Sequence, residues 1–142
     1  MKMAISSGIA IRFKEDSLKA VHDFTSATFK IALYSSVASL SNGTSVYITS
    51  AEIANGNGYT TGGEALSVTN VTVDGSVAIV DFADVSWTSA TFTARGCLIY
   101  NSSQSNKTVA VVDFGGDKTA TNGTFTVQFP VAGATTAIVR LA

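Results

Sequence analysis

A chain with one histidine and one cysteine has few routes to covalent chemistry. A Ser-His-Asp triad would have to use His22, with Asp23 adjacent in sequence, and no nucleophile-elbow motif occurs. His22 falls at the end of the one helix-like stretch, where a polar or cationic group suits the C-terminal dipole. Cys97 lies in Arg95-Gly96-Cys97-Leu98-Ile99-Tyr100, an apolar strand pattern in which cysteine serves as a small hydrophobe. One residue of each kind makes no His/Cys metal site and no internal disulfide.

Oxygen chemistry fares no better. Paired acids can hydrolyse glycosides and oxygen ligands can hold calcium, so Asp81, Asp84, Asp113 and Asp117 are the residues to test. Their Asp-x-x-Asp and Asp-x-x-x-Asp spacings lack the grammar of a calcium loop, and no further acid completes a cage. Turn capping accounts for them. Gly56-Asn57-Gly58-Tyr59 and Gly62-Gly63 imitate a phosphate loop, but a strand pattern follows where a helix N-terminus is needed, and no lysine is placed to help. Asn42, Asn70, Asn101, Asn106 and Asn122 each open an Asn-x-Ser/Thr triplet, as chance provides in a chain rich in Ser and Thr. The residues therefore point to no catalytic group, no cofactor and no metal.

What is left is contact chemistry. Tyr34, Tyr47, Tyr59, Tyr100 and Trp87 could stack on a sugar, but three of these five lie in apolar strand-like runs. Tyr59, in the glycine-rich loop beside Asn57, and Trp87, after Asp84-Val85-Ser86, are the two expected to be exposed. Arg95 is the single charge in an otherwise uncharged strand, which suits an interface or core-edge bond. Tyr47, Asn57, Tyr59, Trp87 and Arg95 are the candidate interface or loop contacts.

The elements that must hold these residues are mostly strands. A helix is expected over residues 10–22, where Ile9, Phe13, Ala20, Val21 and Phe24 recur at roughly helical spacing. Residues 28–35 alternate Phe29, Ile31 and Leu33 against Lys30, Ala32 and Tyr34, a half- or fully buried strand. Residues 36–63 are rich in Ser, Thr, Asn and Gly, with Val46-Tyr47-Ile48 as a candidate short strand inside them. Further on, Leu66 and Val68 share one phase and Val71 and Val73 the other, so a bulge is expected at Thr69-Asn70. Asp74-Gly75 predicts a type I′ hairpin into residues 77–82. Strands are also expected over 91–100, 107–114, 124–129 and 135–141, with Phe125, Val127 and Phe129 inward and Pro130 ending theirs. Asp-Phe recurs at 23–24, 81–82 and 113–114, each followed by a polar turn and a strand opening on Thr-Phe, which we read as repeated corner chemistry. The pattern is all-β: an antiparallel β-sandwich or open barrel with one short N-terminal helix, in a single domain of 142 residues whose helix falls within residues 1–24.

Composition says how such a domain lives. Charged residues are 13% of the chain, against about 25% in an ordinary soluble domain, and the net charge is -1. Mean hydropathy is +0.31. So little charge favours association: the chain reads first as a subunit that hides part of its surface in an assembly, with a monomer coated in Ser and Thr as the alternative. The 9 Lys and Arg form no cluster, which argues against nucleic acid as a partner. No apolar run approaches the ~18 residues of a membrane helix, and the start of the chain lacks the apolar core of a secretory signal, so a soluble, cytoplasmically made protein without a membrane partner is expected.

The chain also resembles a group of small structural proteins encoded among the virion genes of tailed bacteriophages. The resemblance runs through Val21-His22-Asp23-Phe24, residues 28–35, 56–63 and 80–84, Trp87, residues 91–101, and Asp113-Phe114-Gly115-Gly116-Asp117-Lys118-Thr119, nearly the whole chain in matching order. Cys97 stands where a smaller residue such as Ala is expected. The resemblance implies a non-enzymatic virion protein, assembled in the host cytoplasm. Its foremost form is a capsid decoration (cement) protein that binds between capsomers, with the major capsid protein or another virion protein as partner. It also implies a homo-oligomer, a trimer where capsid sites are threefold. A tail, neck or fibre-associated component is the alternative within that class, and a receptor- or glycan-binding module using loop 42–63 is the alternative outside it.

Overall fold

The structure, a computed structural model, describes residues 4–142; Met1–Met3, the start of the stretch read above for a leader, lie outside the described residues. The chain runs β1 (Gly8–Ile9), α1 (Ile11–Leu18), β2 (Phe29–Tyr34), β3 (Glu64–Leu66), β4 (Val68–Asp74), β5 (Val77–Phe82), β6 (Val85–Asn101), β7 (Lys107–Val127) and β8 (Val139–Leu141). Two antiparallel sheets form, a five-stranded one ordered β1-β7-β6-β2-β3 and a three-stranded one ordered β4-β5-β8. They pack as an all-β sandwich and do not close into a barrel.

The large sheet is buried on both faces at its centre, which is why β2 is apolar in both phases. Ile31 and Leu33 join Phe82, Val80 and Val139 of the small sheet in the main core, with Trp87, Ile99 and Val109. Ala32 and Tyr34 face the other way, into a second cluster with Ile5, Leu40, Leu98 and Val111. Residues 35–63 lie largely over that second face and contribute Ala38, Leu40, Tyr47 and Ile48 to it, while Ile53 and Tyr59 reach into the main core. In place of a strand at 46–48 there is one bridge, Val46 to Lys107.

α1 is shorter than the helix expected over 10–22. It ends in a Schellman arrangement: Val21 N–H donates to Asp16 O at 3.0 Å, Ala20 N–H to Ser17 O at 3.2 Å, and Ala20 takes φ 57°. No glycine announces that stop. His22 thus lies beyond the helix and not in its last turn, which removes the dipole argument.

The bulge is where the phase slip put it, between Val68 and Asn70. The hairpin that follows turns one residue later than expected. Asp74 pairs with Val77, so Gly75-Ser76 is the loop, and Gly75 alone takes a positive φ, 63°, the sign pattern of a type II′ turn. Strands expected over 107–114 and 124–129 are one continuous strand, and that over 91–100 begins already at Val85. The glycines and asparagines between them make bulges instead of reversals. Ala94 pairs with Lys118 and Gly96 with Asp113, so residues 114–117 loop out of a ladder that β6 keeps intact on both sides. Phe125 and Val127 are buried and Phe129 packs on the core, as the alternation predicts. The last strand is reduced to Val139–Leu141.

The repeated Asp-Phe corners divide. Asp23 accepts from Thr25 N and the Thr25 and Ser26 hydroxyls, and those hydroxyls hold its carboxyl down at about 2. Asp113 caps Gly115 N at 3.0 Å. At the middle copy it is Asp84, not Asp81, that takes an amide, that of Phe129 across the fold at 2.8 Å.

Candidate functional site

Tyr59 and Trp87, expected at the surface, are core residues, 3% and 2% exposed. Their rings lie 6.2 Å apart, with Phe92 against Tyr59 and Phe125 against Trp87. The glycine-rich loop folds back onto β6, where Thr91 N–H donates to Asn57 O at 2.9 Å. That return carries Tyr59 inward and leaves Asn57 exposed at the tip. The expected platform for a sugar is therefore absent at these two residues.

A residue the sequence reading passed over organises this region. Glu52, the only charged residue between 36 and 63, accepts from Tyr59 OH at 2.7 Å, Gly62 N–H at 2.7 Å and Tyr47 OH at 2.6 Å. Leu33 N–H in turn donates to Tyr59 OH at 3.0 Å. Tyr47 stacks on Tyr100, ring centroids 4.7 Å apart, and Tyr100 OH donates to Gly62 O at 2.7 Å. Burial raises all three phenols, and for Tyr59 and Tyr47 the hydrogen bond to Glu52 adds to the rise. These are locked structural hydroxyls. The available signal was a lone acid flanked by tyrosines in an uncharged stretch. Gly63 completes the arrangement: at φ 78°, a Cβ there would sit 1.8 Å from Ile31 O.

Arg95 stands apart from this cluster. Its Nε meets Asp113 Oδ1 at 3.3 Å and its Nη1 lies 3.8 Å from Asp117 Oδ1, so it ties β6 to the looped-out segment of β7. Of the five candidates, Tyr47 and Tyr59 meet through Glu52, Tyr59 and Trp87 meet in the core, and Asn57 and Arg95 remain at the surface.

The two reactive side chains are enclosed. Cys97 is fully buried, and burial pushes its thiol up to about 12, far from a nucleophilic thiolate. The His22 side chain packs on Phe13 and is shut from solvent. Asn101 Nδ2 lies 3.2 Å from His22 Nδ1, while Nε2 has no hydrogen-bond partner and Asp16 Oδ2 is 3.8 Å away. Burial lowers the imidazole's pKa against the pull of Asp16 and so favours the neutral ring. Among the described residues no group of three His, Cys, Asp or Glu side chains is placed to hold a metal ion, and no helix is long and apolar enough to cross a membrane.

Two surfaces remain open. The outward side of the β6–β7 hairpin is a hydroxyl ladder, with Ser86 paired to Thr126 at 2.8 Å and Thr93 to Thr119 at 2.7 Å. The other is the small sheet. Val71 and Val73 of β4 pair with Val80 and Ala78 of β5, which pair with Val139 and Leu141 of β8, so these six share one face. Val80 and Val139 are in the core, but Val73 is 68%, Leu141 56% and Val71 46% exposed. The small sheet overhangs the core and leaves its apolar face uncovered there. A cleft of about 500 Å³ opens between the end of β7 and the C-terminal segment, lined by Phe114, Phe125, Phe129 and Ile138 with Lys118 and Gln128. No family model, curated protein or solved structure matches this chain.

Proposed function

We propose that the protein is a non-enzymatic structural subunit of a tailed-phage virion, a capsid decoration protein that binds between capsomers and associates with copies of itself. The observation that carries this reading is the uncovered apolar face of β4-β5-β8 on a chain with 13% charged residues. A few exposed valines are ordinary; a contiguous apolar overhang on a weakly charged body is what an assembly subunit presents. The hydroxyl ladder adds a broad surface able to hydrogen-bond a partner without the cost of desolvating charge. The sequence resemblance supplies the virion setting. A protein that binds only the assembled shell stabilises it by mass action. The glycan-binding alternative relied on Tyr59 and Trp87, and their burial removes its support.

The test is sedimentation velocity of the purified protein, then mixing with emptied phage heads and pelleting. Co-pelleting at a saturating copy number is the expected result. Recovery in the tail fraction of disrupted particles, with no binding to heads, would replace decoration by a tail or neck role. A monomer found in neither fraction would overturn the assembly reading.

A further inference from the structure

β4 is an edge strand. Its one neighbour is β5, and the far side of Val68–Asp74 has no partner among the described residues. Every second residue of such a strand aims its N–H and C=O outward, an open template for another strand. The usual protections are sparse over residues 70–74, which hold no lysine and no proline; their one charge, Asp74, lies at the turn end and accepts from Ala134 N–H, and the bulge lies behind them at Thr69. The opposite edge, β8, is only three residues long.

The register says which groups are free. Asp74 and Val77 close the two-residue turn and form its hydrogen-bonded pair, so Asn70, Thr72 and Asp74 turn their main-chain groups toward β5. Val71 and Val73 turn theirs outward, and their side chains are the exposed part of the apolar face.

We propose that β4 pairs with β4 of a second copy, antiparallel and centred on Thr72, joining the two small sheets into one sheet of six strands across a two-fold axis. This deepens the proposed function by naming the self-contact, and it rests on that reading for its biological setting. The register is self-complementary. Val71 meets Val73 of the second copy, Thr72 meets its own counterpart, and Asn70 offers an amide to Asp74, so no two carboxylates oppose. The outward main-chain groups of Val71 and Val73 coincide as hydrogen-bonded pairs. Centring on Val71 would instead set Val73 against the bulged Thr69, and a slip of one residue would set valines against the polar face. A two-fold axis perpendicular to the sheet keeps both bodies on one side, with four valines lining the floor between them. Such an isologous contact closes at two copies, so the unit is a dimer in place of the trimer that threefold capsid sites imply.

The test is a Thr72→Cys variant of the full chain under mild oxidation. Opposed residues of a non-hydrogen-bonded pair lie about 4.5 Å apart at Cα, within disulfide reach, so a covalent dimer is expected on a non-reducing gel. Ser39→Cys, exposed in the segment over the far face of the large sheet, is the control and stays monomeric. Cys97 is buried and does not interfere. Sedimentation of the unaltered protein gives a dimer, and Val73→Lys weakens association by roughly tenfold or more with an unchanged circular dichroism spectrum, since two charges are forced beside the axis. Equal cross-linking of the two cysteine variants, or wild-type association by Val73→Lys, overturns the proposal. If Thr72→Cys cross-links but the protein ignores phage heads, the interface stands and the decoration reading falls. If the protein binds heads as a monomer, the decoration reading stands and this interface falls.

Discussion

Residues 35–63 contain no strand longer than an isolated bridge, yet Ala38, Leu40, Ile53 and Tyr59 are buried and Glu52 gathers three donors. Val68–Asp74 is regular strand, yet six of its seven residues are exposed. Regular backbone and tight packing are thus separated in this molecule. The irregular segment covers one face of the central sheet, so its order comes from burial and from side chains that satisfy its polar groups. The regular strand owes its order to one ladder with β5 and leaves the other side open. A segment's secondary structure here says little about how firmly it is held; the partners of its polar groups and the depth of its apolar ones say more.

The sharpest way to break this comparison is at Gly63. A methyl group there collides with Ile31 O and must adopt a backbone conformation that alanine resists. Gly63→Ala is expected to cost about 3 kcal/mol or more in urea unfolding, as severe a loss as a core cavity. A loss below about 1 kcal/mol would show that the segment shifts freely and is not locked to β2. Next comes the carboxylate. Glu52→Gln keeps the shape but removes charge-assisted bonds to Tyr47, Tyr59 and Gly62, and a cost of about 2 kcal/mol is expected. Tyr59→Phe orphans the buried Leu33 amide and should cost about 1–3 kcal/mol.

How far these regions were legible in the sequence follows the same division. Local signals were sound: the phase slip at Thr69-Asn70 is a bulge, and the inward alternation of Phe125 and Val127 holds. Signals failed where a distant partner decides. Gly115-Gly116 and Thr121-Asn122-Gly123 have turn chemistry, but β6 runs alongside and turns them into bulges within one strand. Ala20 ends α1 in a conformation glycine usually supplies, so nothing in its type marks the stop. Tyr59 and Trp87 looked exposed because a glycine-rich neighbourhood and a polar lead-in are surface features. Their burial depends on the loop folding back onto Thr91, a contact between residues 57 and 91 that no local pattern encodes. Glu52 was missed for a related reason, since its three donors come from positions on both sides of it.

The small sheet should answer differently at its two ends. Val80→Ala removes a buried side chain under the sandwich and is expected to cost about 2 kcal/mol. Val73→Thr, two rungs away on the same face, should leave monomer stability within about 0.5 kcal/mol, because that side chain meets solvent. Equal losses would mean that the overhang is packed. Hydrogen exchange sharpens the point: the Leu33, Ile53 and Gly62 amides, held by Tyr59, Leu33 and Glu52, should exchange at least about tenfold more slowly than Val71 and Val73 in dilute protein. Protection of Val71 and Val73 that grows with protein concentration would locate a contact on that edge.

The smallest effect is expected at Arg95. Its pairs with Asp113 and Asp117 are long and partly exposed, so solvent screens them and the fold gains little. Arg95→Ala should therefore change monomer stability by less than about 1 kcal/mol. Its consequence lies elsewhere. The side chain holds the looped-out residues 114–117 against β6, beside the lower rungs of the hydroxyl ladder. If that outward side meets a partner, loosening the segment raises the ordering cost of association, and Arg95→Ala should weaken binding to phage heads while urea unfolding barely moves. Losing stability and binding in proportion would make Arg95 an ordinary fold contact. Losing neither would remove the β6–β7 face from the contact surface and leave the exposed edge of β4 to carry assembly alone.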